Sequence, residues 1–401
     1  MELVGVEKIR VARETLHGVV RRTPVSHCGV LGRHCVVPVH LKCENLQRTG
    51  SFKIRGAYVR IHALSSAERA RGVVAASAGN HGQGVALAAA LLGTTATVYM
   101  PVTAALPKLA ATRGYGAQVH LVGDVVEESL AAARTFARDT GAVFIHPFDH
   151  PDVLAGQGTV GLEILEQLPD VATVLVPTGG GGLVSGIAAA VKGVKPDVRV
   201  VGVRVDAAAV WAASLAAGAP IRLRAQHTMA DGIAVSEVGP VSFAHVRALV
   251  DEVLTVGEEA LSQALLLCLE RAKMLVEPAG AAAVAALLEP TASFPGPVCA
   301  VLSGGNVDPL LLMHLIQHGL SAGGRFLALR VTMSDRPGEL AALLARVGKT
   351  GANVVDVAHS RITGRVAVGE VVVALSLETR GAEHCAELVA DLGAAGYQVT
   401  R

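Results

Sequence analysis

The chain has 401 residues, 51% of them hydrophobic and only 3% aromatic. This excludes a disordered chain and leaves Ala, Val, Leu and Ile to fill a core large enough for two or three folding units. Lys and Arg total 35 against 34 Asp and Glu, so no sequence-wide charge draws the chain to nucleic acid or to an anionic membrane.

The first residues, Met1 to Arg10, interrupt their apolar positions with charges too early for a signal peptide. Between about residues 70 and 205, short Val-rich runs alternate with longer amphipathic Ala/Leu-rich ones. Val73–Ala76 leads into Asn80–Gly93, Ala96–Met100 into Ala105–Gly114, and Ala117–Leu121 into Asp124–Ala137. Thr173–Pro177 leads into Leu183–Val191, and Val198–Val203 follows. Strands apolar on both faces, alternating with helices, predict a parallel sheet covered by helices, with ligands at the carboxyl ends of the strands. Ala279–Leu288 is too short to span a bilayer and reads as a buried helix.

After an apolar helix at Val307–Gln317, the stretch His318–Gly324 reads as a linker. Beyond it come a strand Phe326–Met333, a helix Pro337–Val347, strands Asn353–His359 and Val366–Leu377, a helix Ala382–Leu392 and a strand Tyr397–Thr400. This βαββαβ order is that of a separate ferredoxin-like domain. The six cysteines (Cys28, Cys35, Cys43, Cys268, Cys299, Cys385) form no CxxC pair. They read as reduced thiols of a cytoplasmic protein, not as a zinc site or a disulfide framework.

Four segments carry chemistry. In Ser51-Phe52-Lys53-Ile54-Arg55-Gly56 a lysine opens a helix after a polar, Gly-containing stretch; it reads either as a Schiff-base lysine or as an exposed first-turn lysine. Ser77-Ala78-Gly79-Asn80-His81-Gly82 joins a strand to a helix, where N–H groups at the helix start can hold a carboxylate, or Asn80 can act as a simple cap. Gly179-Gly180-Gly181-Gly182-Leu183 follows a Val-rich strand. Four consecutive glycines let the backbone wrap a phosphate at a helix N-terminus, and the run lacks both dinucleotide and Walker spacing. Ser303-Gly304-Gly305-Asn306 ends the strand Val298–Leu302; its serine can hydrogen-bond a ring nitrogen or merely end the strand.

Taken together with Gly156-Gln157-Gly158-Thr159 and Ala230-Asp231-Gly232, these segments occur in the order found in the threonine/serine dehydratase family of fold type II pyridoxal-phosphate enzymes. The chain resembles that family over nearly all of residues 15–317. The resemblance implies an α/β catalytic domain at 1–320 made of two lobes, the smaller within about 50–150, with pyridoxal 5′-phosphate between them. It makes Lys53 the Schiff-base lysine and the base at Cα, with Phe52 beside it. Asn80 would bond the 3′-oxygen, Gly179 to Leu183 the phosphate and Ser303 the ring nitrogen. Ser77, Ala78, Gly79, Asn80 and His81 would bind the substrate carboxylate.

The implied reaction is β-elimination of ammonia from threonine and serine. Serine racemase, a relative, carries a second acid/base serine where Ala78 stands here, which favours a lyase. A serine at the ring nitrogen likewise favours elimination over racemisation. Threonine synthase and cysteine synthase chemistry are rival readings, and a non-catalytic amino-acid sensor is the rival outside enzymes. Some relatives bind a cation beside Ala230-Asp231-Gly232, but Gln226-His227-Thr228 precede that motif here, so no metal is expected. The segment 325–401 resembles an ACT regulatory domain, on its element order and on Asp335-Arg336-Pro337-Gly338-Glu339-Leu340 with Asn353 following. Asp335, Gly338 and Asn353 are the expected surroundings of an amino-acid effector. The family implies a homodimer or homotetramer.

Overall fold

A computed structural model of the chain describes residues 2–206, 210–223, 227–289, 293–361 and 367–400. The chain packs as two units, Met1–Pro309 and Leu310–Arg401.

The first unit holds ten strands among the described residues: β1 Val25–His27, β2 Val39–Cys43, β3 Val73–Ala76, β4 Ala96–Met100, β5 Gln118–Leu121, β6 Val143–Phe144, β7 Thr173–Pro177, β8 Arg199–Val205, β9 Glu252–Val256 and β10 Val298–Leu302. They form a six-stranded sheet in the order β1-β2-β10-β7-β8-β9 and a four-stranded sheet in the order β5-β4-β3-β6. All pairings are parallel except β1 with β2. Every residue of β3, β7 and β10 is buried, because helices cover both faces; this is why these strands read as unbroken apolar runs. At the edge, β5 keeps Gln118 and His120 exposed.

Glycines set how closely the helices approach. Helix Lys53–His62 crosses helix Pro151–Gln167 where a Cβ on Gly56 would lie 2.8 Å from the Val153 carbonyl and one on Gly156 would lie 2.6 Å from that of Arg55. The same long helix crosses Gly182–Val194 at Gly158, where a Cβ would come 2.8 Å from the Gly186 carbonyl. The Gly156–Thr159 motif therefore seats the lysine helix and the Gly-turn helix on one common support. Beneath it lies a buried ion network. Arg55 bonds Glu44 (Nε–Oε2 2.8 Å) and Glu163 (Nη1–Oε1 2.7 Å), and Lys42 bonds Glu163 at 2.6 Å.

The second unit contains β11 Phe326–Ser334, β12 Asn353–Ser360, β13 Glu370–Glu378 and β14 Gln398–Thr400, arranged antiparallel in the order β12-β13-β11-β14. Its chain order is strand, helix, strand, strand, helix, strand. Leu343, Val347, Leu388 and Leu392 from the two helices pack on Val331, Val373 and Leu375. Two expectations need correction here. Helix Pro309–Ala322 runs through His318–Ala322, the start of the expected linker: Gly319 is buried within it, and the helix stops only at the paired Gly323-Gly324, where Gly324 takes a φ of +65°. The strand expected at Val366–Leu377 begins at Glu370, and Val366 lies outside the described residues. Among the described residues no helix is long and apolar enough to cross a membrane.

Candidate active site

The turn before the lysine is shaped by two left-handed residues, Thr49 (φ +61°) and Gly50 (φ +71°). It is stitched to the end of β10: Gly305 N–H donates to the Gly50 carbonyl (2.8 Å) and Phe52 N–H to the Ser303 carbonyl (3.2 Å). Lys53 is the first residue of its helix and is partly buried. Its Nζ donates to the Pro147 carbonyl at 2.9 Å and lies 5.1 Å from the centre of the Phe52 ring. Desolvation by burial pushes the Lys53 ammonium down to about 8, against an opposing pull from Glu277. This is the direction a lysine needs to act as nucleophile and base near neutrality.

The segment carrying Pro147 also meets the glycine turn. A side chain on Gly180 would run into the Phe148 ring, and a Cβ on Gly182 would lie 2.8 Å from the Phe148 carbonyl. Gly181 is left-handed, at φ +95°, and caps a 13-residue helix, so free N–H groups and the helix dipole converge on the turn. Trp211 Nε1 donates to the Gly179 carbonyl at 2.5 Å. Across the turn, the Ala230-Asp231-Gly232 motif packs so closely that a Cβ on Gly179 would lie 2.9 Å from Ile233 Cα. Leu183 is buried in the core of the larger sheet.

The third element is the Ser77–His81 turn at the end of β3. Gly79 N–H donates to Ser77 Oγ (3.0 Å), and Gly79, not Asn80, is the cap of helix Asn80–Leu91. The side chain of Asn80, the first helical residue, turns inward. Its Nδ2 donates to Glu277 Oε1 at 2.5 Å, and its Oδ1 accepts from Asn306 Nδ2 at 2.8 Å. His81 is buried with Nε2 on the Ile145 carbonyl (2.8 Å). Burial and the Lys53 charge drive its imidazolium down to about 3, so the ring is neutral. The Lys108 stem packs over Gly79, and its Nζ pairs with Asp231 at 3.0 Å. Asp231 is thus an ion-pair partner and makes no cap. Of the residues preceding it, Gln226 lies outside the described residues.

The segments that carry Lys53, Ser303 and Asn80 are therefore joined by hydrogen bonds of their neighbours, Phe52 to Ser303 and Asn306 to Asn80, and the Gly179–Gly182 turn joins them through Pro147–Phe148. A phosphorylated aldehyde fits this donor set: an amine of lowered pKa, a glycine turn at a helix start, and the buried hydroxyls of Thr49 and Ser51, which have no protein partner. Sequence reasoning missed Pro147, Phe148, Lys108 and Glu277. Only Glu277 left a signal, an acid directly before the proline that opens a wholly apolar helix.

In the second unit the structure separates two of the expected effector residues. Asp335 follows Ser334, which pairs with Glu370, whereas Asn353 pairs with Glu378. These are opposite ends of β13, roughly 26 Å apart at strand rise. Asp335 is held by Arg361 (Nε–Oδ2 2.9 Å) and Gly338 caps the next helix at φ +94°, while Asn353 Nδ2 donates to Glu378 at 3.2 Å.

Comparison with known proteins agrees with this geometry. Residues 16–304 match the model of the family described as pyridoxal-phosphate dependent enzyme. The chain is 47% identical to an L-threonine ammonia-lyase of Thermotoga maritima over 397 residues, 99% of each chain. Among solved structures, a threonine deaminase from the organism abbreviated T.th. is similar at 42% identity and a TM-score of 0.72, over 76% of this chain and 99% of that one. A maize serine racemase is similar at 35% identity and a TM-score of 0.74, over 80% of this chain and 99% of that one. On the lysine, the glycine turn and this match over most of its length, the chain belongs to the family of pyridoxal-phosphate dependent enzymes.

Proposed function

We propose that this chain deaminates L-threonine, and L-serine with it, by β-elimination, releasing 2-oxobutanoate or pyruvate and ammonia. What carries the reading is the meeting of Lys53, the Ser77–His81 turn and the Gly179–Gly182 turn in a chain 47% identical, over 99% of its length, to an L-threonine ammonia-lyase. When bound, pyridoxal phosphate supplies an electron sink for the pair left at Cα. Lys53 would anchor the cofactor, and its Nζ would serve as the base for the Cα proton. Gly179 to Leu183 would hold its phosphate through backbone N–H groups, and Ser303 would hydrogen-bond its ring nitrogen. The Ser77–His81 turn grips the substrate carboxylate. With its imidazole committed to Ile145, His81 contributes through its backbone.

Ala78 carries no acid or base for the opposite face of Cα, which favours elimination over the racemisation named for the maize protein. The test is product analysis with L-threonine and L-serine. We expect 2-oxobutanoate, pyruvate and ammonia; D-serine as the main product from L-serine would replace the lyase by a racemase. Gly180→Ala is expected to weaken pyridoxal phosphate binding by at least about tenfold, since overpacking against Phe148 displaces the turn. An absorbance titration returning wild-type affinity would contradict that cradle.

The second unit is read as an ACT-type regulatory domain that binds an amino acid, with Asp335 and Gly338 at the receptive end. The assembly is read as a homodimer or homotetramer working in the cytoplasm, where its six free thiols stay reduced.

A further inference from the structure

Glu277 is a buried acid that the elimination chemistry does not use. It is only 4% exposed and stands at the N-cap of helix Pro278–Leu288 with its N–H on the Gly304 carbonyl (3.0 Å). A hydrogen-bonded chain of fixed polarity ends on it. The Thr49 carbonyl can only accept, so Asn306 Nδ2 donates to it (2.6 Å) and also to Asn80 Oδ1 (2.8 Å). Asn80 must then turn its NH2 group toward Glu277 Oε1, at 2.5 Å. Asn80 belongs to the turn assigned to the substrate carboxylate, so an incoming carboxylate lands one residue from a carboxylate that has little water around it.

Like charges this close in a dry site do not both remain ionised. The charged groups acting on Glu277 are Lys53 on the lysine helix, Lys108 on helix Leu106–Gly114 and Asp231 on the turn after Ala230. Lys108 is already paired with Asp231 at 3.0 Å, which leaves little of its charge for a newcomer. We infer that Glu277 takes up one proton from solvent when a carboxylate ligand docks on the Ser77–His81 turn, the new O–H bond neutralising the acid while its other oxygen still accepts from Asn80. The inference rests on the substrate reading above.

Burial pushes the Glu277 carboxyl up to about 7; Lys108 opposes, Asp231 reinforces, and the Asn80 hydrogen bond and Lys53 oppose. A group so raised is already protonated at pH 6 and ionised at pH 8, so the uptake belongs to the higher pH. The experiment is calorimetric titration of the cofactor-loaded enzyme with L-2-aminobutanoate, threonine without its leaving hydroxyl, in buffers of different ionisation enthalpy. At pH 8 the wild type should take up on the order of half to one proton more per site than Glu277→Gln, and at pH 6 the difference should vanish. Equal proton counts at pH 8 overturn the inference and leave the substrate reading standing. A wild type that does not bind L-2-aminobutanoate removes the substrate reading, and this inference falls with it. If Glu277→Gln does not fold, Asp231→Asn takes its place: loss of the anion that raises Glu277 should move the onset of uptake to lower pH, and an unmoved onset overturns the inference.

Discussion

Lys53→Ala is expected to lower 2-oxobutanoate release from L-threonine by on the order of 10⁴-fold or more, because in the proposed mechanism one side chain supplies both the cofactor anchor and the base at Cα. The comparison is made at matched cofactor loading, so that weaker cofactor binding does not pass for lost chemistry. Activity within tenfold of wild type would remove Lys53 from the mechanism. The pH dependence of cofactor capture gives a second reading. Burial holds the Lys53 ammonium near 8, well below its ordinary 10.5. Since the neutral amine is the reactive form, incorporation of pyridoxal phosphate into apoenzyme should accelerate as pH rises through about 8 and level off above it. A midpoint near 10.5 would mean that the amine is solvated and the pocket does nothing for it.

The largest loss of stability is expected from Arg55→Met. Arg55 and Glu44 are fully buried, and Glu163 is nearly so. Removing the guanidinium leaves Glu44 with only Thr23 and the more distant Lys42 for compensation. Breaking a buried pair from one side costs about 3–5 kcal/mol, far more than the pair itself contributes. Urea denaturation followed by circular dichroism should register that drop, and a change below about 1 kcal/mol would show that water reaches the network. The acid side has a defined sign. Burial alone would raise the Glu44 carboxyl, yet the Arg55 charge and hydrogen bonds hold it below the usual 4.5. Its contribution is therefore complete above about pH 4.5 and is lost as pH falls through the lower folded value.

What could be read from the sequence follows a physical division. Strands buried on both faces announce themselves, and Val73–Ala76, Ala96–Met100, Thr173–Pro177 and Val298–Leu302 stand where the apolar runs place them. β2 gave no such signal, because it contains His40 and Lys42, and Lys42 is made tolerable by Glu163, 121 residues later. The glycine turn and the residues around Lys53 were legible because backbone freedom and a reactive amine are local properties. Pro147, Phe148 and Lys108 were not, since each has its place through contacts that exist only after folding. The spacing of the effector residues was hidden for a related reason: Asp335 and Asn353 are 18 positions apart in sequence, but an intervening helix and strand register send them to opposite ends of one sheet.

The place of β10 in the larger sheet also governs how the protein can be made. It lies between β2 and β7, yet it is the last of the sheet's strands to leave the ribosome. Until residue 302 emerges, β2 and β7 each present an unpaired backbone edge, open to pairing with other chains. The turn carrying Lys53 also waits for Ser303 and Gly305 before its own backbone is pinned. A nascent chain that stops before about residue 298 would thus hold Lys53 and the glycine turn but lack the strand that joins the two halves of the larger sheet.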